Sequence, residues 1–103
     1  MELEIYKTLV LSTEHLTMDT LRYLENLTAQ GNQNNFISRD YSYLVICRSS
    51  WFDKREEEAR EEFFQLPADL QYVLTEAKSL GISAVEFDQD GALYDRFPNY
   101  EHE

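Results

Sequence analysis

Apolar residues recur along this chain with two different periods. KTLVLS, residues 7–12, is a short apolar run with branched side chains and reads as a buried strand. In 41–48, Tyr41, Tyr43, Val45 and Cys47 alternate with Ser42, Leu44, Ile46 and Arg48, the period of a central strand, with room for a short edge strand at 36–39. Near the end, Val85 and Phe87 alternate with Glu86 and Asp88, Asp90-Gly91 signals a tight turn, and 92–97 reads as the returning strand of a hairpin.

Between these runs the spacing is helical. Thr17 suits an N-cap, Leu16 and Leu21 are spaced as a hydrophobic staple, and Asp19 falls in the first turn. Leu21, Leu24 and Leu27 then line one face of a helix of about 14 residues that Gly31 ends. A second helix opens at Pro67 with Asp69 in its first turn. It carries Leu70, Val73, Leu74, Ala77 and Leu80 as its apolar stripe and stops at Gly81 in the C′ position.

The order is β-α-β-(β)-α-β-β. It predicts a single α+β domain over 1–103, a two-layer sandwich with two helices on one face of a mainly antiparallel sheet. The opposite face, or a sheet edge, is then available for a homodimer. Two stretches resist this reading: GNQNN is a polar loop, and WFDKREEEAREEFF, residues 51–64, fits an exposed helix or an acidic loop equally well.

Composition sharpens the picture. At 103 residues, 43% of them hydrophobic, the chain can bury roughly two-thirds of its extended surface in one core. It lacks the ~20 consecutive apolar residues of a membrane span, and its acidic beginning has no basic n-region, so the expected compartment is the cytosol. The single Cys47 lies inside an apolar run, which excludes an internal disulfide and favours a buried thiol.

Charge is the largest departure from an ordinary domain. The net charge is −11, and residues 53–103 hold 14 of the 20 acids against five bases. A field of that sign repels nucleic acid and anionic membrane surfaces and attracts basic partners.

The stretch AVEFDQDG imitates the strand-borne Asp-x-Asp-Gly of aspartyl-phosphate phosphotransferases. Asp88 would be the nucleophile, Asp90 the acid and base, and Mg²⁺ would offset the charge. That chemistry needs a hydroxyl residue, a Lys and further acids on later strands, yet only 13 residues follow Asp90, Arg96 is their only base, and Ala92 stands at the hydroxyl position. A turn uses the same residues without a metal, Gly91 supplying a positive φ. An EF-hand fails on spacing, with no closing Glu. STEH sets Ser12 and Thr13 near His15, but the only other histidine is the terminal His102 and there is no nucleophile elbow, so His15 reads as a surface or partly buried side chain. Three glycines cannot build a phosphate cradle. The expectation is a protein without enzymatic activity, metal or cofactor.

LVLSTEHLT, LPADLQYVLTEAKSLG, VEFDQDG and FPNY together resemble a family of small domains of unknown function encoded on bacterial plasmids and integrative elements. The likeness covers most of the chain and is weakest over 32–64. It implies no activity and no catalytic residues, but it implies a neighbourhood of mobile DNA, where genes that blunt restriction and CRISPR defences cluster.

Two functions follow as expectations. In the first the chain inhibits a nucleic-acid-binding defence complex, of anti-CRISPR or antirestriction type. Asp53, Glu56, Glu57, Glu58, Glu61, Glu62, Glu86, Asp88, Asp90 and Asp95 would stand in for a row of phosphates on a basic surface, without binding nucleic acid or membrane directly. In the second it is an adaptor or antitoxin-like interaction module without mimicry. Aromatics beside the acidic run, Trp51 and Phe52 with Phe63 and Phe64, would contact the partner or else pack in the core.

Overall fold

The structure is a computed structural model that describes residues 7–29, 31 and 35–100. Most of the GNQNN loop and His102 lie outside these residues. The elements are β1 (Thr8–Ser12), α1 (Met18–Thr28), β2 (Phe36–Arg39), β3 (Ser42–Ile46), α2 (Glu57–Phe64), α3 (Ala68–Ser79) and β4 (Ala84–Asp88), with 3-10 turns at Thr13–His15 and Ser49–Phe52.

The sheet order is β1-β4-β3-β2, with β1 parallel to β4 and the other two pairings antiparallel. This is the expected α+β architecture with a mainly antiparallel sheet, but the described residues form three α-helices and not two. Leu11, Val45, Val85 and Phe87 point from the sheet into one core with Leu24 of α1 and Leu70, Val73, Leu74 and Ala77 of α3. Val10, Leu44, Ile46 and Glu86 alternate onto the other face, where Val10 and Ile46 are exposed.

The terminal hairpin does not form. β4 lies between β1 and β3, so both of its edges already carry ladder bonds and a returning strand has no edge to join. Instead 92–100 leaves the sheet as irregular chain. Gly91 makes the exit possible through lack of a side chain and not through a positive φ, since a Cβ there would collide with the backbone of Leu11 and Ser12.

The helix ends show why these segments stop where they do. Thr17 caps α1 by accepting from the Thr20 N–H at 3.2 Å. α1 ends at Thr28, short of Gly31, where the Thr28 hydroxyl bonds back to the Leu24 carbonyl at 2.8 Å. Pro67 is the N-cap of α3 and not its first helical residue. At the other end Gly81, at φ 74°, donates to the Lys78 carbonyl and Ile82 to that of Ala77, the paired bonds of a Schellman motif. Leu80 falls at this C-cap and is exposed, so it drops out of the apolar stripe.

Candidate functional site

The open question about 51–64 resolves into a turn followed by a helix. The 3-10 turn after β3 drives Trp51 into the core at 2% exposure, between Phe36 (ring centroids 6.1 Å apart) and Phe63 (5.7 Å). Phe52 meets the other side of Phe63 at 5.1 Å. α2 is thus anchored by Ala59 and Phe63, one turn apart on its inner side, followed by buried Leu66. Burying Phe63 contributes about 2 kcal/mol, enough to hold a short helix that would be marginal alone.

With that side turned inward, Glu57, Glu58, Glu61 and Glu62 face solvent, joined by Glu56 at the N-cap. Glu62 is held by Arg48 at 3.2 Å and Asp53 by Arg55 at 3.2 Å. The Arg55 contacts hold the Asp53 carboxyl below the usual carboxylate range. Glu56, Glu57, Glu58 and Glu61 make no ion pair with any described residue.

This arrangement does little for the helix itself. Glu57 and Glu58 suit the positive end of the helix dipole, but Glu61 and Glu62 crowd its negative end. Each like-charged pair at i,i+3 or i,i+4 costs about 0.2–0.5 kcal/mol.

Of the four aromatics expected either to contact a partner or to pack in the core, Phe64 joins this face. Phe64 is 61% exposed beside Glu61, with the Arg60 guanidinium 5.9 Å from its ring centre. The aromatics expected there behave differently: Trp51 is wholly interior and has no surface to offer, and Phe52 is half-buried against the core. The distinction follows from helical phase, since Phe63 and Phe64 point about 100° apart once the segment is known to be a helix.

The remaining expected acids lie elsewhere. Glu86 pairs with Arg39 at 2.7 Å on the open sheet face. Asp88 accepts from the Asp90 N–H at 2.8 Å, an Asx turn closing β4, and Asp95 follows in the irregular chain. Ile46 pairs with Ala84 and Ser42 with Asp88, so the Asp88–Asp90 turn sits at one end of β4, while Arg48, which holds Glu62, follows β3 at the other, about 13 Å away along the strands. Asp88 and Asp90 therefore lie at the end of the β3–β4 pair opposite the one that α2 borders through Arg48 and Glu62.

Other chemistry-bearing residues are engaged structurally. His15 is 1% exposed and is neither a surface nor a partly buried side chain. Its Nδ1 lies 2.8 Å from the Pro98 carbonyl, and its Nε2 accepts from the Tyr94 N–H at 3.0 Å, which brings the STEH and FPNY stretches together. The half-buried Cys47 thiol is pushed up to about 11 by burial, with Lys78 opposing, and so stays protonated at neutral pH. Among the described residues no three His, Cys, Asp or Glu side chains are placed to hold a metal ion, and no helix is long and apolar enough to cross a membrane. An open cleft of about 560 Å³ bordered by α2 separates Tyr23 and Leu27 of α1 from Ile46, Arg48 and Glu62.

Comparison with curated proteins and with solved structures found no match. The model of a family of unknown function, DUF5983, C-terminal domain, matches residues 8–102, and the chain belongs to that family.

Proposed function

We propose that this domain is a non-catalytic binding module that docks the outward face of α2 onto a basic surface of another protein, of the kind that grips DNA or RNA, and so competes with nucleic acid for it. The observation that carries this reading is the set of four carboxylates, Glu56, Glu57, Glu58 and Glu61, left without an ion pair on a helix anchored by its opposite side. Arg48 and Arg55 are engaged by Glu62 and Asp53, and Arg60 is the one base within α2 against its four glutamates, so the helix keeps a surplus of negative charge that a basic partner can match. Exposed Phe64 supplies the aromatic anchor that binding hot spots favour. A partner in a bacterial defence complex, of anti-CRISPR or antirestriction type, suits both the charge and the mobile-DNA setting that the motifs suggest, and the cytosol is where such a partner would be met.

The separation of the acids favours a narrower version of the mimicry first expected. Contact through α2 alone engages a short stretch of basic surface, and Glu86, Asp88, Asp90 and Asp95 stay outside it. The same compactness supports the second reading, a protein-interaction module indifferent to nucleic acid. Immobilised domain incubated with nuclease-treated bacterial lysate separates the two. Retained proteins that are released by added DNA or RNA support competition; proteins that stay bound through such a wash support the plain interaction module.

A further inference from the structure

The C-terminal stretch 92–100 is a strap with no regular structure of its own, attached to the body at a few definite points. The Ser12 N–H donates to the Ala92 carbonyl at 2.9 Å, the Tyr100 N–H to the Glu14 carbonyl at 2.7 Å, and Arg96 pairs with Glu76 of α3 at 2.9 Å. Phe97 inserts into the core at 5% exposure. In the middle of these attachments stands His15, its ring 5.5 Å from that of Phe97 and stacked on Tyr94 at 6.5 Å.

The bonding of this imidazole fixes its protonation. A main-chain N–H can only donate, so Nε2, facing the Tyr94 N–H, has to be the acceptor; the ring proton therefore sits on Nδ1 and is donated to the Pro98 carbonyl. Only the neutral ring satisfies both ends. An imidazolium has two donors, and its Nε2–H would oppose the Tyr94 N–H inside a site that is 1% exposed.

The charged and titratable groups on the elements that meet at the site are Glu14 in the same 3-10 turn, Tyr94, Asp95, Arg96 and Tyr100 in the strap, Glu76 of α3, which Arg96 holds, and Asp88 at the end of β4. No carboxylate among them bonds to the imidazole, whose two nitrogens are both taken by main-chain groups.

We propose that His15 is an acid-sensitive latch: with a neutral ring it clasps the strap through Tyr94 and Pro98, and protonation at Nε2 releases the strap and uncovers the apolar pocket that Phe97 fills. The sign follows from the geometry. The latch is closed when the ring is neutral and opens as the pH falls.

Amide hydrogen exchange tests this in the intact chain. Protection factors of Tyr94 and Tyr100 are compared between about pH 7.5 and about pH 5, the interval in which histidines change charge, with Val85 and Phe87 in the core as reference. The latch predicts a fall of at least about ten-fold at Tyr94 and Tyr100 while the core amides hold. Equal protection at both pH values would overturn it, and so would a fall shared equally by the core. His15→Gln supplies a second arm, because an amide can accept from Tyr94 and donate to Pro98 without titrating. Protection that no longer changes with pH in this variant supports the latch, and a pH step that survives in it contradicts the proposal.

Discussion

α2 and α3 are neighbours in sequence built on opposite principles. α3 sinks four side chains, Leu70, Val73, Leu74 and Ala77, to zero exposure. Its first turn sends Asp69 across to α1, where the carboxylate accepts from the Thr17 N–H at 2.9 Å and the Thr20 hydroxyl at 2.5 Å, and its last turn closes on Gly81. Neither helix has a side-chain hydrogen bond at its N-cap, but α2 buries only two residues and presents carboxylates along its outer side. Gln71 of α3 even covers carbonyls at the end of α2, donating to those of Phe64 and Leu66. The difference teaches where stability is made and where surface is free for something else: α3 secures the fold, and α2 is carried by it.

The largest effect is expected for Leu74→Ala, which opens a cavity among fully buried neighbours and should lower unfolding free energy by about 2–5 kcal/mol in a denaturant titration. Stability within about 0.5 kcal/mol of the parent would deny α3 its structural role. Asp69→Ala comes next. It leaves the Thr17 N–H and the Thr20 hydroxyl without their acceptor and should cost about 1–3 kcal/mol by the same titration; a neutral result would mean that water replaces the carboxylate at no cost.

The smallest effect on stability is expected from the combined change Glu57→Lys, Glu58→Lys and Glu61→Lys. These side chains are exposed and make no ion pair with a described residue, so the melting temperature should move by no more than a few degrees, on the order of 0.5 kcal/mol. Loss of the fold would show that the acidic side of α2 is structural after all.

What was legible in the sequence is what the two periods and the caps encode. Thr17 and Gly81 announce helix ends through chemistry that acts within a few residues, and the Tyr43/Val45 and Val85/Phe87 alternations give the sheet's inner face directly. The terminal hairpin misled because local alternation carries no information about edges: only the full strand order reveals that β4 is already enclosed by β1 and β3. α2 stayed undecided because like charges at helical spacing argue against a helix, while the contact that decides the matter, Phe63 on Trp51, depends on where the preceding turn places the indole. For the same reason the four aromatics beside the acidic run stayed open between partner contact and core. Trp51 is core, and Phe64, one helical position beyond Phe63, is the exposed ring. The union of His15 with Tyr94 and Pro98 spans about 80 residues of sequence, and periodicity says nothing about it.

On the function proposed above, the outer side of α2 binds a basic partner while α3 holds the fold. Its most direct test is the affinity of the Glu57→Lys, Glu58→Lys and Glu61→Lys protein, confirmed as folded, for a protein that the parent domain retains from lysate and releases to nucleic acid. The account predicts a loss of more than about 100-fold, since like charges would then face each other across the contact. Affinity unchanged from the parent would contradict it and leave the charge of α2 without a role in binding.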